Sequence, residues 1–256
     1  MDLKIIGSSS KGNCYIFDNG DEALAVECGI PFSRLRRAMD FKTRHIVGAV
    51  ISHEHGDHSA AVGKFLDYFI PVYTSRGTAK ALGIDKHNLV HQVADHEMVS
   101  IGKFRVMPFR VEHDAAEPFG FLIHHPAMGT TLFATDTRYL RYAPFGIDNI
   151  IKFPGVNNIL IECNYRHDIL ESNLAAGRLP KALANRTKKS HCSFAECRAT
   201  ILAQDLSGVN NIVLIHLSDA NANAAEFQAD IEAATGKTIT VATPGLIIKN
   251  FSKSPF

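Results

Sequence analysis

Four side chains able to bind a metal ion stand within six residues of this chain, directly after an apolar run. The apolar run is Val47–Ile51, and the polar segment is His53-x-His55-x-Asp57-His58. A continuous apolar run of this length is typical of a strand buried on both faces. In layered α/β proteins, functional residues gather at the carboxyl ends of such strands. The segment therefore predicts a metal site at a sheet edge; the alternative is a solvated polar loop.

Three later residues share one context, because each directly follows a β-rich run. They are His113 after Phe109–Val111 and Glu112, Asp136 after the run that starts at Thr131, and His216 after Asn211–Ile215. Any one of them alone would be more typical of a hydrogen-bonded residue at a strand end. Together with the first segment they supply the imidazole and carboxylate groups that zinc, manganese and iron accept. They also explain part of the surplus of 13 histidines in 256 residues.

The composition limits the class of protein. With 46% hydrophobic and 21% charged residues, the chain has the balance of a folded globular protein rather than a disordered one. No apolar run approaches the ~18–20 residues that span a bilayer, so we expect no membrane partner. The first residues lead directly into a strand pattern and the five cysteines are an odd number, which together predict free thiols in the cytoplasm. A net charge of +1 speaks against a uniformly basic nucleic-acid binder but leaves a local basic patch open.

Strand and helix patterns alternate along the chain without a linker, which predicts a single α/β domain over residues 1–256. Strands are predicted at residues 3–7, 13–17, 23–27, 47–51, 72–74, 104–111, 120–124, 131–134, 158–162, 211–215, 238–241 and 246–250. Helices are predicted at residues 31–39, 60–68, 75–82, 194–206 and 224–234. Residues 164–190 are polar, basic and prone to form helices.

The pattern of these residues resembles the metallo-β-lactamase fold superfamily over nearly the whole chain, up to His216. The resemblance implies a four-layer αββα sandwich with two divalent metal ions, zinc or manganese with iron as a further option, at one edge of the sheets. It also implies the ligands: His53, His55 and His113 for one metal, Asp57, His58 and His216 for the other, and Asp136 bridging both.

One position departs from the pattern of the superfamily. Its members usually carry an aspartate at the end of the strand before the signature, where it supports a ligand. This chain has Glu27, which is one methylene longer. Changes to such supporting residues can cost about 10–100-fold in metal affinity or activity.

Two further resemblances favour phosphodiester chemistry. Gly7–Cys14 and Glu162–Tyr165, with the segments around His113 and Asp136, resemble a bacterial and phage branch described as exonuclease-like. Ser190–Ser193 is similar to a stretch in the tRNA 3′-end-processing branch, in which a histidine supported by a glutamate donates a proton. The resemblance implies a nuclease for DNA or RNA that uses a metal-bridging hydroxide.

In that mechanism His191 protonates the leaving oxygen, Glu162 holds the His191 ring, and Asp57 helps to orient the nucleophile. The alternative for His191 is a bystander role, in which Ser190 or Ser193 simply begins the helix at Phe194.

Two segments are candidates for substrate binding. The loop with Ser8, Ser9, Ser10 and Asn13 offers hydroxyls and backbone N–H groups to a phosphate, and its alternative is a tight strand connection. A basic group that includes Lys188 and Lys189 precedes His191, and its alternative is a solvated helix face. No interleaved aromatic residues indicate a platform for stacking bases, with Tyr165 as the one nearby candidate.

Three other functions stay open at this point. The first is a phosphodiesterase for small substrates such as a cyclic phosphate or nucleotide. The second is a thioester hydrolase of the glyoxalase branch, although the residues after His216 are too few for the helical domain of that branch. The third is a metal-binding sensor without turnover. The sequence also leaves open exo- or endo-cleavage, and whether the chain is a monomer or a dimer.

Overall fold

Two seven-stranded sheets form the centre of the computed structural model, which describes residues 1–141 and 149–252. The strands of the first sheet, in chain order, are β1 Asp2–Gly7, β2 Cys14–Asp18, β3 Ala23–Val26, β4 Ile46–Val50, β5 Val72–Ser75, β6 Val90–Val93 and β14 Ile247–Ile248. Those of the second are β7 Val99–Ile101, β8 Phe104–Arg110, β9 Phe119–His125, β10 Gly129–Ala134, β11 Val156–Glu162, β12 Asn211–Ile215 and β13 Ile239–Val241. The spatial orders are β14-β1-β2-β3-β4-β5-β6 and β13-β12-β11-β10-β9-β8-β7.

The helices lie in the connections between strands. Those in the described residues are α1 Phe32–Ala38, α2 Gly56–Ser59, α3 Val62–Asp67, α4 Arg76–Ala81, α5 His167–Ala175, α6 Lys181–Ser190, α7 Phe194–Ala203 and α8 Ala224–Thr235, with a 3₁₀ turn at Thr43–His45. None of the helices in this part of the chain is long and apolar enough to cross a membrane.

Three apolar cores hold the layers together. Between the sheets, Tyr15 of β2 and Phe133 of β10 meet edge to face with ring centroids 5.4 Å apart. A second core packs α1 and α3 against the outer face of the first sheet, and a third packs α7 and α8 against the second sheet. The order of layers is helix, sheet, sheet, helix, which confirms the predicted αββα sandwich.

Parallel strands at the centre of each sheet bring their carboxyl ends to a common edge. In the first sheet Val26 of β3 is paired with Val50 of β4. In the second, Glu162 of β11 is paired with Ile215 of β12, and β10 runs parallel to β11. The loops that follow β3, β4, β10, β11 and β12 therefore leave the sheets side by side.

Most predicted strands and helices are present with ends shifted by a few residues. Two edge strands, β6 and β7, were not predicted, because most of their residues are exposed or half-buried and so lack a clear apolar pattern. The helix predicted to Leu206 ends at Ala203, and the last predicted strand shrinks to two residues. The single domain remains a prediction, and residues 142–148 and 253–256 of its range lie outside the described part.

Candidate metal centre

The seven predicted ligands come together at the common edge of the two sheets. His53 and His55 follow β4, and the short helix α2 carries Asp57 and His58. His113, Asp136 and His216 lie in the connections after β8, β10 and β12. The candidate ligands therefore lie in the segments that follow the carboxyl ends of core strands, and the sheets fix where these segments start.

Three residues at this edge have left-handed backbone, with φ of 66° at Glu27, 43° at Asp136 and 53° at His216. Such a conformation costs a residue with a side chain of order 1–3 kcal/mol and persists where the surroundings enforce it. At all three positions the chain turns sharply off the end of a strand. The turn keeps the side chain at the sheet edge, next to the others.

A first group of possible ligands consists of His53, His55, His113 and Asp136, whose donor atoms lie within 4.8 Å of one another. The Oδ2 oxygen of Asp136 is 3.8 Å from His53 Nε2 and 3.5 Å from His113 Nε2. His55 Nδ1 lies 3.1 Å from His113 Nε2.

A second group consists of Asp57, His58, Asp136 and His216, within the same 4.8 Å limit. Here the other carboxylate oxygen of Asp136, Oδ1, is 3.2 Å from His58 Nε2 and 3.5 Å from His216 Nε2. Asp57 Oδ2 lies 3.3 Å from each of these two imidazole nitrogens. Asp136 thus presents one oxygen to each group.

The donor set fits metal ions better than it fits a protein-only network. The Nε2 nitrogen of His53, which faces the Asp136 carboxylate, is buried and has no hydrogen-bond partner among the described residues. Buried polar atoms are nearly always paired, so an unpaired nitrogen among carboxylates and other imidazoles indicates a missing ligand. Imidazole nitrogens and carboxylate oxygens at this density are a ligand set for zinc, manganese or iron.

The electrostatics of the site follow from burying charges together. Burial disfavours the charge on Asp136, but His216 and His58 outweigh burial and hold the pKa of this carboxyl well below its usual range. Burial also opposes a proton on His216, yet Asp136 and Asp57 raise its pKa to about 10. His53 behaves differently, because burial and the neighbouring charge of His58 lower its pKa well below the usual value.

His191 lies beside this cluster and is paired with Glu162. Its Nδ1 nitrogen is 2.7 Å from Glu162 Oε1, and its ring stacks on that of His216 with centroids 5.5 Å apart. The other oxygen of Glu162 accepts hydrogen bonds from the backbone N–H groups of Thr137 and Cys192, both at 3.0 Å. Burial lowers the pKa of His191, but the Glu162 carboxylate outweighs burial and the net pKa is raised.

Ser193, not His191, begins the helix that follows, since its hydroxyl accepts a hydrogen bond from the Glu196 N–H. His191 itself is bound to Glu162. The sequence alternative, in which His191 only accompanies a helix start, therefore accounts for Ser193 but leaves the pairing of His191 unexplained. His191 and Glu162 also form a further group of close donors with Asp136 and His216.

Supporting hydrogen bonds hold the candidate ligands in place. His113 Nδ1 donates to the carbonyl of Ser190 at 2.7 Å, and Ser52 Oγ lies 2.8 Å from His53 Nδ1. The Asn164 amide donates to the His216 carbonyl at 2.9 Å. Sequence reasoning assigned no supporting role to these partners. A signal for Asn164 was present, because it lies just beyond the end of β11, after Cys163. The Ser190 contact is made by a backbone carbonyl, which no residue type reveals.

Glu27 occupies the position at which members of the superfamily usually carry a supporting aspartate. Its Oε2 oxygen lies 3.6 Å from His58 Nδ1 and accepts a hydrogen bond from the Ser52 N–H at 3.3 Å. Its Oε1 oxygen is buried, and no group in the described part of the chain forms a hydrogen bond with it. The longer side chain therefore reaches the same ligand ring, but 3.6 Å is beyond a good hydrogen bond.

The loop predicted to bind substrate divides into two parts. Asn13 is fully buried, and its amide donates to the Asp57 carbonyl at 3.2 Å and lies 3.1 Å from His58 Nε2. Ser8 is buried too, and its hydroxyl accepts the His216 N–H at 2.9 Å. Both side chains thus contact the ligand residues. Ser9 is half-buried and its hydroxyl accepts a hydrogen bond from the Lys11 N–H at 3.2 Å, whereas Ser10 is exposed; their role in substrate binding stays a prediction.

The basic residues before His191 lie on α6 and are partly engaged. Lys188 forms an ion pair with Glu171, and Arg186 with Asp114 at 2.7 Å. Lys189 is exposed, and the described residues give it no ion-pair partner. Tyr165, the aromatic candidate for base stacking, is only 2% exposed, so it offers no platform.

The fold and this cluster define a metal-dependent hydrolase of the metallo-β-lactamase fold. The family model described as "Beta-lactamase superfamily domain" matches residues 27–217, and the chain belongs to this superfamily.

Comparison with individual proteins agrees. The chain is 25% identical over 231 residues to the exodeoxyribonuclease YycJ of Bacillus anthracis, covering 85% of this chain and 83% of that one. Among solved structures it is similar to the metallo-β-lactamase fold protein YhfI of Bacillus subtilis, with a TM-score of 0.71, 16% identity, and coverage of 96% and 98%. It is also similar to the short form of human tRNase Z, with a TM-score of 0.61, 15% identity, and coverage of 97% and 99%. The two solved structures support the fold.

Proposed function

We propose that this hydrolase is a phosphodiesterase that cleaves DNA or RNA, with two divalent metal ions held by the two groups that share Asp136. The observation that carries the proposal is the His191–Glu162 pair beside that cluster. Hydrolysis of a phosphodiester expels an alkoxide, which leaves more readily when a positioned acid protonates it. The exodeoxyribonuclease relative supports a nucleic-acid substrate, and five free, buried cysteines agree with a reducing cytoplasm.

In the proposed site, His53, His55 and His113 would hold the first metal ion, and Asp57, His58 and His216 would hold the second. Bound metal ions would supply a water of lowered pKa and positive charge for the phosphate oxygens. The described residues fit either zinc or manganese, because imidazole and carboxylate groups serve both.

His191 has the surroundings that a proton donor needs. Glu162 fixes its Nδ1 nitrogen at 2.7 Å, so the ring is held with its other nitrogen directed away from the carboxylate. Burial lowers the pKa of His191, but the same carboxylate outweighs burial and raises it. The ring therefore keeps its proton to a higher pH than an ordinary histidine. Glu162 is kept in place by two backbone N–H groups and therefore acts as a positioning residue.

Asp57 is placed to orient the attacking water. Its side chain is only partly buried and faces both His58 and His216 through one oxygen, Oδ2. Burial opposes its charge, but hydrogen bonds from His216 and His58 lower its pKa, so the group stays an acceptor. A carboxylate at this place accepts a hydrogen bond from water and fixes its direction.

A substrate screen tests the proposed function. The protein, loaded with manganese or with zinc, is given bis-p-nitrophenyl phosphate, single- and double-stranded oligonucleotides, and a thioester. We expect hydrolysis of the small diester and of an oligonucleotide. Hydrolysis of the thioester alone would contradict the proposal, and hydrolysis of the small diester without any oligonucleotide would restrict it to small phosphodiesters.

A further inference from the structure

A group of exposed aromatic rings lies on the first sheet's side of the molecule, outside the metal centre. Phe69 is 82% exposed, Phe41 64% and Tyr68 44%. Phe41 follows α1, whereas Tyr68 and Phe69 follow α3, and the fold brings the two segments together around a shared cavity of about 600 Å³. An exposed cluster of large aromatic rings indicates a binding surface.

Arg36 joins the two segments. Its guanidinium carbon lies 5.3 Å from the centre of the Phe41 ring and 5.4 Å from that of the Tyr68 ring. Its Nη1 also donates to the Tyr68 hydroxyl at 3.1 Å. The arginine therefore holds the rings side by side.

Two of the rings occupy strained backbone positions. Phe41 has a φ of 62° and Phe69 a φ of 59°. Phe69 stands where α3 ends, and the bonds from the Phe69 and Ile70 N–H groups to the carbonyls of Leu66 and Phe65 form a helix end at which glycine is usual. A phenylalanine at this position has a strained backbone, and its ring is too exposed for packing to offset the cost of that strain.

The charge around the rings is positive. Lys42 and Arg44 are exposed, and no residue in the described ranges forms an ion pair with either of them. In the two segments that carry the rings, Asp67 is already paired with Lys64 at 2.9 Å, and Asp40 is an exposed carboxylate. The cations of the same segments are Arg36, Lys42 and Arg44. Aromatic rings can stack on unpaired bases, and cations beside them can contact the phosphate backbone. The surface therefore suits a single-stranded nucleic acid.

This surface and the metal centre lie at opposite ends of the strands of the first sheet. The segment with Phe41 precedes β4, and Phe69 precedes β5, while the ligands His53 and His55 follow β4. β4 and β5 run parallel, so both segments lie at the amino ends of these two strands. The five residues of β4 lie between the two places, and a strand of that length spans about 17 Å.

We propose that Phe41, Tyr68 and Phe69, with Arg36, Lys42 and Arg44, form a second binding site for single-stranded nucleic acid. The proposal rests on the proposed nuclease function for its ligand class, but it concerns residues that take no part in the metal centre. Phe41 and Phe69 stack on bases, Lys42 and Arg44 contact phosphates, and Arg36 and Tyr68 hold the two segments together. A long strand can occupy this site and the metal centre together, whereas a dinucleotide is too short to do so.

The test uses the variant Phe41→Gly/Phe69→Gly of the metal-loaded chain. Glycine accepts both positive φ values, so this variant keeps the backbone conformation and loses only the rings. Asn250→Gly is the matched control, because Asn250 is exposed with a φ of 54° and carries no ring. The probe is a fluorescent, long oligothymidylate with phosphorothioate linkages, which resist cleavage, and binding is followed by anisotropy.

We expect the double glycine variant to bind the long strand at least about tenfold more weakly than the parent, because a lost base–aromatic stack alone accounts for such a factor. The Asn250→Gly control should match the parent. Equal affinity of the double variant and the parent would overturn the proposal. If, with equal affinity, the double variant also loses a dimer in sedimentation or loses binding to anionic vesicles, the surface serves that other partner.

Hydrolysis of bis-p-nitrophenyl phosphate separates this proposal from the proposed function. The small diester cannot reach both places, so its turnover by the double glycine variant should equal that of the parent. If the parent itself fails to hydrolyse any phosphodiester, the proposed function fails, while the anisotropy result still decides the binding site.

Discussion

His191 Nδ1 lies 2.7 Å from Glu162 Oε1, and this pair stands next to the carboxylate that two groups of metal-binding side chains share. Glu162 is fully buried and is itself held by two backbone N–H groups. The Glu162 carboxylate therefore fixes the direction of the His191 imidazole. Within residues 1–141 and 149–252, the ion-pair partners of Glu162 are His191 and His216.

Replacing His191 by alanine should lower turnover of a nucleic-acid substrate by about 10²–10⁴-fold, the usual contribution of a positioned proton donor. The metal content should stay at the level of the parent, because the proposed ligands are left intact. Turnover on an oligonucleotide and elemental analysis of the same sample check both statements. An unchanged rate would remove the proposed role of His191.

Replacing Asp136 by alanine should cost the protein its metal, because each carboxylate oxygen faces a different group of histidines. Asp95→Ala is a suitable control, since Asp95 pairs with His96 and Arg110 away from the centre. After dialysis against a weak chelator, elemental analysis should show loss of metal from the first variant alone. Full occupancy in Asp136→Ala would argue against a shared carboxylate.

Glu27→Asp probes the unusual supporting residue. Glu27 Oε2 is 3.6 Å from His58 Nδ1, and the shorter aspartate would place its carboxylate farther away. The aspartate would also lose the hydrogen bond from the Ser52 N–H. We expect metal affinity to fall by about 10–100-fold, as for other supporting residues. Competition with a fluorescent chelator measures it. Equal or tighter binding by the aspartate variant would show that Glu27 does not support His58.

Phe69→Gly should stabilise the fold, although it removes a large side chain. The residue has a φ of 59° and an exposed ring, so the variant loses strain and little packing. We expect the free energy of unfolding to rise by about 0.5–1 kcal/mol. Tyr68→Gly, at a φ of −94° and with its ring against Phe32, should lower it. Urea unfolding curves measure both changes. A lower free energy of unfolding for Phe69→Gly would contradict the proposal that Phe69 is strained.

The pairing of Asp18 with Lys4 predicts a dependence of stability on pH. Burial opposes the Asp18 charge, but Lys4 at 2.8 Å and the Gly20 N–H outweigh burial and lower its pKa. Because the folded pKa lies below the unfolded one, the stabilisation is present above the ordinary aspartate pKa and is lost as the pH falls through the folded value. Asp18→Asn should therefore be less stable than the parent at neutral pH, and the difference in urea midpoint should shrink in acid. A constant difference would contradict this.

The sequence placed the seven candidate ligands soon after apolar runs, and the resemblance to the superfamily supplied their roles. The structure brings them together at one place, and their roles as metal ligands stay a prediction. Contacts between distant segments could not be located in this way. Ser190 supports His113 through a carbonyl, and Phe41 and Phe69 meet only because α1 and α3 end at the same sheet edge. The edge strands β6 and β7 were missed for another reason, since exposed strands carry little apolar signal.

Titration of the metal-free protein with manganese, while hydrolysis of bis-p-nitrophenyl phosphate is recorded, tests the central claim most directly. Two groups of side chains share Asp136, so we predict that activity rises until two equivalents of metal are bound per chain and then levels off. A plateau at one equivalent would contradict the paired centre. Absence of hydrolysis at every ratio, with zinc as well as manganese, would contradict the assignment as a metal-dependent phosphodiesterase.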